Sequence, residues 1–209
     1  MSIQTKTLSV RIKDRHAPLL RQMAFEANQV FNLANEITSR AYSNACEAGP
    51  QQPVWLSVFD VQKQTAGIQK ERGWTIGSAT VQEVIASHGK ARQQFKRAKL
   101  RWRSSSGSKR ALGWIPFKSR AASWKGGQVK FAGYFFKVWD SYGLSAYQFR
   151  AGSFSEDSRG RWYFNVCVQV ECKTTTATSA VGVDLGLKDT ATPSHGKPLE
   201  AGRFYRDLE

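Results

Sequence analysis

The chain has 209 residues, with 31 Lys and Arg against 16 Asp and Glu, for a formal net charge of +15. With 41% hydrophobic and 12% aromatic residues it is too apolar for a disordered chain, and its length suits one domain or two small ones. No apolar run approaches the roughly 20 residues of a membrane span, the start has no signal-peptide core, and the three cysteines form no CxxC. A secreted disulfide scaffold, a membrane-spanning protein and a self-contained zinc site are therefore not expected, and a cytoplasmic location is.

Residues 3–12 alternate, with Leu8, Val10 and Ile12 on one side, and predict a strand. The period then changes. Leu20, Met23, Ala24, Ala27, Val30, Phe31, Ala34, Ile37 and Ala41 recur at three- and four-residue steps, so 15–46 reads as an amphipathic helix. Pro50 and Pro53 mark the loop that follows. Ser57 with Asp60 forms a capping-box pattern, and a second helix is expected over 58–72, ending before Gly73. Thr80 with Glu83 repeats the pattern and predicts a third helix over about 81–103. Its stripe is Val81, Val84, Ile85, His88, Ala91, Phe95, Ala98 and Trp102. His88 lies on that stripe and is expected to be a packed core residue, not a ligand.

SSSGSKRALG (104–113) breaks the helix as a flexible basic loop. Thereafter the period is two, with short strands expected at 113–118, 128–132, 134–139, 144–150, 152–156 and 161–171. In the last, Trp162, Phe164, Val166, Val168 and Val170 face one way, after a hairpin turn at Ser158-Arg159-Gly160. Many short strands suggest a small β-barrel. The strand at 3–12 needs partners among them, so the expected fold is α+β: a barrel from 1–13 and 104–172, interrupted by a helical insertion at 14–103. A Thr-rich linker, 173–180, precedes a new unit at 181–209. This opens on Val181-Gly182-Val183, read as a short buried strand that ends in Asp184.

The charge is concentrated. Between Glu83 and Asp140 there is no acidic residue, and that window holds 14 of the 31 Lys and Arg, which leaves 17 basic against 16 acidic elsewhere. Such a stretch repels itself unless a polyanion lies against it, and nucleic acid releases counterions as each phosphate is neutralised. Phe95, Trp102, Trp114, Phe117, Trp124 and Phe131 are interleaved with the cations, and aromatic planes beside cations suit stacking on bases. Lys109, Arg110, Lys118 and Arg120 are the first candidates for phosphate contacts. Lys96, Arg97, Lys99, Arg101 and Arg103 follow along the third helix, although a solvated helix face accounts equally well for each of these singly. Gln62, Lys63 and Gln64 on the second helix have the donors and acceptors to read base edges.

Asp184, flanked by Gly182 and Gly186, is the one candidate for metal chemistry. Two-metal phosphodiester cleavage needs several carboxylates converging on the ions. On four residues of sequence, a turn or capping role explains Asp184 better than a catalytic one.

Three passages together resemble the TnpB (OrfB) family encoded by bacterial and archaeal insertion sequences, itself similar to type V CRISPR effectors. They are GSKRALGWIPFKSRA (107–121), GSFSEDSRGRWYFNVCVQVE (152–171) and VGVDLGLKDTATPSHGKPLEAGRFYRDL (181–208). The FKRAK segment and the helix carrying Phe31-Asn32 fit the same family. The resemblance implies an RNA-guided DNA endonuclease with guide RNA and double-stranded target DNA as partners, acting in the cytoplasm near the nucleoid and not at a membrane. It also implies a wedge (OB-like) barrel interrupted by a helical recognition domain, then an RNase H-like (RuvC) nuclease domain that uses Mg2+ and carries a zinc ribbon. Asp184 matches the first catalytic aspartate, and hence a metal ligand, of that domain. The family's remaining carboxylates and its zinc ribbon lie downstream, and only 25 residues follow Asp184. The chain thus resembles the N-terminal part of the family. It is expected to bind nucleic acid without cutting it alone, to hold no metal tightly and to lack the zinc ribbon, unless a separate C-terminal half completes it. The alternatives are a non-catalytic nucleic-acid-binding regulator derived from TnpB, and an actin- or sugar-kinase-like ATPase fragment, for which the chain has no second phosphate loop.

Overall fold

The computed structural model describes residues 2–47, 55–172, 179–186 and 189–200. The expected loop at Pro50 and Pro53, most of the linker at 173–180, and residues 201–209 lie outside them. The chain divides into two units, residues 3–170 and residues 171–209 together with the first two.

In the larger unit, strand β1 (Ser2–Arg11) leads through a short 3-10 turn into helix α1 (Ala17–Glu47). The helix follows from its stripe: Leu20, Met23, Ala27, Val30 and Ala34 are all essentially solvent-free. Helix α2 (Val58–Gln64) starts at the expected capping box. The Ser57 hydroxyl accepts the Asp60 N–H at 3.2 Å, and the Asp60 carboxylate accepts the Ser57 N–H at 2.9 Å. The single helix expected over 58–72 is instead broken. Gly67 takes a left-handed conformation (φ 87°), from which the short helix α3 (Ile68–Glu71) starts.

Helix α4 runs Ser78–Phe95, not 81–103. Thr80 is not a cap: it lies inside the first turn and is buried. At the other end Lys96 turns left-handed (φ 49°), and residues 96–113 form no helix. The stripe is buried as far as His88, whereas Phe95 and Trp102 are exposed.

The strands follow as β2 (Trp114–Phe117), β3 (Ala122–Lys125), β4 (Gln128–Phe131), β5 (Tyr134–Phe136), β6 (Gly152–Glu156) and β7 (Trp162–Cys172). Strand β3 was not visible in the pattern. The stretch 144–150 is not a strand. The Asp140 carboxylate accepts the N–H groups of Tyr142 and Leu144, and a 3-10 turn forms at Leu144–Ala146. The β6–β7 hairpin turns as expected, with the Asp157 carboxylate accepting the N–H of both Arg159 and Arg161 at 2.9 Å.

These strands make two sheets, ordered β1-β7-β6-β2 and β3-β4-β5. They join where Ile12 bridges Val138, with the Lys13 N–H donating to Lys137 and the Trp139 N–H to Arg11. The expected barrel is not closed: β2 pairs only with β6, and β3 only with β4. Between them the chain turns through Arg120, in the left-handed region at φ 69°, so β3 does not continue beside β2. The core is aromatic. Phe154 lies 5.0–5.7 Å from Phe117, Phe131, Phe136 and Phe164, centroid to centroid.

In the smaller unit, β8 (Val183–Asp184), β9 (Asp189–Pro193) and β10 (Leu199–Glu200) form an antiparallel sheet ordered β10-β9-β8. The strand expected to be buried at 181–184 is exposed: Val181 and Val183 keep 59% and 55% of their surface. No described helix is long and apolar enough to cross a membrane.

Candidate nucleic-acid interface

Three asparagines of α1, Asn28, Asn32 and Asn35, fall at steps of four and three and so share one side of the helix. All three are buried, yet they face backbone and not a core. The Asn35 amide donates to the Leu100 carbonyl and accepts the Leu100 N–H, both at 2.8 Å. Asn32 does the same with Arg103, both bonds at 2.9 Å, and Asn28 donates to the Ser105 hydroxyl at 3.0 Å. Each two-way amide replaces a pair of backbone ladder bonds. The segment 100–105 is therefore clipped along α1, and both backbone groups of Leu100 and of Arg103 are satisfied without helix. These contacts hold Leu100 and Arg103 out of any continuation of the third helix. The Arg103 guanidinium lies 3.9 Å over the Phe31 ring and 5.4 Å from that of Trp114. Burial lowers its pKa from the ordinary arginine value. Arg103 is thus half-buried and committed to these two rings, unlike its exposed neighbours.

Its neighbours face the other way. Lys96, Arg97, Lys99 and Arg101 are exposed, and none has an ion-pair partner among the described residues. Phe95 and Trp102, in the same stretch, are 61% and 49% exposed. Lys109 is exposed and likewise unpaired. The result is a run of free cations and two aromatic rings that leads into the segment the asparagines hold at Leu100, Arg103 and Ser105.

The other candidates are more committed. Arg110 makes a two-pronged contact with the buried Glu156, at 2.7 and 3.3 Å. Burial pushes the Glu156 carboxyl up. The bonds from Arg110 and the Gly113 N–H, with the charges of Arg110 and Arg21, outweigh it and leave the pKa below the ordinary value. Arg110, itself exposed, is therefore already committed to an ion pair with a buried carboxylate. Lys118 donates to Gln82 at 2.8 Å and lies 3.8 Å from Glu83. Arg120 is exposed beside a groove that includes Trp124, Tyr147 and Phe149. Gln62 donates to the Gln82 carbonyl at 3.1 Å, while Lys63 and Gln64 are exposed on α2.

His88 is buried against Phe31, with ring centroids 5.0 Å apart, and its Nε2 approaches the Asn35 side-chain Oδ1 at 3.5 Å. Burial, then the charges of Arg92 and Arg103, lower its pKa to about 4, so it is neutral at pH 7.

Asp184 stands in β8 opposite Thr192 and is exposed, beside a shallow depression bordered by Gly182, Pro193 and Ser194. No group of three His, Cys, Asp or Glu among the described residues could hold a metal ion. Asp184 thus has no second carboxylate beside it among the described residues, whereas a two-metal site needs several.

No family model and no curated protein matches the chain. Among solved structures it is similar to a CRISPR-Cas12f ternary complex, at 10% identity and a TM-score of 0.46, over 94% of this chain and 50% of that one. It is also similar to a Cas12f1–sgRNA–target DNA complex, at 13% identity and a TM-score of 0.42, over 98% of this chain and 59% of that one. The chain thus spans between half and three-fifths of the length of these structures.

The asparagine clip was the feature that sequence reasoning missed. Its signal was present: three amide side chains at helical spacing on the side of α1 that also carries Phe31.

Proposed function

We propose that the chain binds nucleic acid as the N-terminal portion of a TnpB-like RNA-guided DNA endonuclease, holding guide RNA and double-stranded target DNA without cutting by itself. The observation that carries this reading is the row of unpaired cations at Lys96, Arg97, Lys99 and Arg101, which runs into a segment that Asn35 and Asn32 hold at Leu100 and Arg103. A pre-ordered cationic segment meets phosphates without first ordering itself, and this lowers the entropic cost of binding. The three sequence passages that resemble TnpB supply the guide RNA, the target DNA and the nuclease context. Asp184, the counterpart of that family's first catalytic aspartate, is one exposed carboxylate, and one carboxylate cannot assemble two metals.

The test is an electrophoretic shift and anisotropy titration across salt concentrations, with RNA and duplex DNA of unrelated sequences. Binding should weaken steeply with salt. The double variant Lys99→Glu/Arg101→Glu should weaken it across all sequences and flatten the log–log salt slope by about 2. Arg110→Glu should act chiefly through stability, because the buried Glu156 would lose its two-pronged partner and face a like charge, keeping only Arg21 at 3.8 Å and the Gly113 N–H. Binding that does not respond to the double charge reversal refutes the interface. Specific cleavage of matched DNA by this chain with guide RNA and Mg2+ refutes the non-cutting part.

A further inference from the structure

The β3-β4-β5 sheet has a second side that none of the candidates above uses. Its inner side is buried through Ala122, Val129, Phe131 and Phe136. Cross-strand partners share a side, and the register places Ser123 beside Lys130 and Lys130 beside Phe135 on the outer one, with Lys125 beside Gln128. The alternation carries on past β5: Phe136 is buried and Val138 half-buried, while Lys137 and Trp139 point outward. The Ile12–Val138 bridge adds Lys13, whose ammonium sits 4.3 Å over the Trp139 ring. Lys130 lies 5.9 Å over Phe135. Trp139 and Phe135 are 60% and 42% exposed, although each could have been a small polar residue at no cost to the core. None of Lys13, Lys125, Lys130 and Lys137 has an ion-pair partner among the described residues. The nearby acids are occupied: Asp14 pairs with Arg11, and Asp140 accepts backbone N–H groups.

We infer that this outer sheet face is a stacking platform for a single-stranded nucleic acid, with bases on Phe135 and Trp139 and phosphates on the surrounding lysines. The inference rests on the nucleic-acid-binding reading above and adds a second contact surface of stated strandedness. Four lysines with no ion-pair partner among the described residues, on one face, favour a polyanion. Two exposed rings select one whose bases are unstacked, since paired bases inside a duplex offer them no face.

The test uses the full chain, first with Lys99→Glu/Arg101→Glu so that this face is read with the other interface weakened. Anisotropy is measured with short single-stranded RNA, the matching single-stranded DNA, their duplex, and vesicles rich in phosphatidylglycerol. In this background Phe135→Ala and Trp139→Ala should each weaken single-strand binding roughly 5- to 100-fold. Trp139→Phe should keep most of it, and duplex binding should change little. Lys130→Glu/Lys137→Glu should weaken binding and flatten its salt dependence without altering the folded circular dichroism spectrum. Whether RNA or DNA binds tighter names the source of the strand. Equal loss for duplex and single strand, unchanged binding in both aromatic variants, or binding to vesicles alone would overturn the platform while leaving the first interface standing. If the unmodified chain ignores every oligonucleotide, the broader nucleic-acid reading falls as well.

Discussion

Strand β7 and strand β8 are written in the same alphabet. Val166 and Val168 alternate with polar residues and are fully buried; Val183 alternates with Gly182 and Asp184 and is 55% exposed. The difference lies in what faces them. Across β7 stands a layer of phenylalanines supplied by β2, β4, β5 and β6. The three short strands of the 179–200 region leave Val181, Val183, Leu185 and Leu199 each more than half exposed. Periodicity therefore announces that a segment will be extended, but burial needs a second layer, and no segment encodes its own partner. The same contrast separates Glu156 from Asp184. One is a carboxylate tuned by burial and two-pronged pairing, and the other is a solvated side chain on an open edge.

The sharpest way to break this comparison is to remove a ring from the packed side. Phe154 is fully buried at the centre of four other rings. Phe154→Ala should cost about 3–5 kcal/mol in a urea melt, because the rigid neighbours cannot collapse into the space. A cost below about 1 kcal/mol would mean that the aromatic layer is not what distinguishes the larger unit.

A pH titration sharpens the comparison from within the same unit. His88 is held neutral, with its pKa lowered from the ordinary 6.5 to about 4. The unfolded chain takes up a proton near pH 6.5 and the folded one only near pH 4, so stability is lost as the pH falls between these values. The loss saturates at about 3 kcal/mol as an order of magnitude. His88→Leu should remove this part of the pH dependence. The Asn35 amide that clips Leu100 touches the same imidazole, so acid should also loosen the 100–105 segment. Hydrogen exchange at the Leu100 N–H should show that loosening before global unfolding. An identical pH profile in the His88→Leu variant would show that His88 is not the titrating group.

How much of this was legible in the sequence depends on whether the cause was local. β1, α1, the Ser57–Asp60 box and the β6–β7 hairpin were read correctly, because an apolar period, a cap or a turn residue determines each from within. The third helix was overrun by eight residues: it ends at a left-handed Lys96, and Asn35 and Asn32, more than sixty residues upstream, hold Leu100 and Arg103 out of any continuation. The same error put Lys96, Arg97, Lys99 and Arg101 on a helix face, whereas they follow the helix in an irregular segment, and it did not distinguish the half-buried Arg103, packed on Phe31, from them. Charge density along the chain identified the basic window but could not tell spent cations from free ones. Arg110 and Lys118 have partners at 2.7 and 2.8 Å that are distant in sequence. The outer face of β3-β4-β5 was hidden for a related reason: β3 was unread, so the register that aligns Ser123, Lys130 and Phe135 was not available.

The smallest effect belongs to the exposed side of the comparison. Leu185 is 76% exposed, so replacing it with Ser removes no buried apolar surface. Leu185→Ser should change stability by no more than about 0.5 kcal/mol, in contrast to the loss at Phe154. The measurement is informative because of its direction. A slight gain in solubility with unchanged melting would confirm that Leu185 meets only water in the isolated chain. A clear loss of stability would mean that Leu185 is covered in solution, by another part of the molecule or by a second copy. The β8–β10 sheet would then be a packed element after all, and Asp184 would stand in a different environment from the open edge described here.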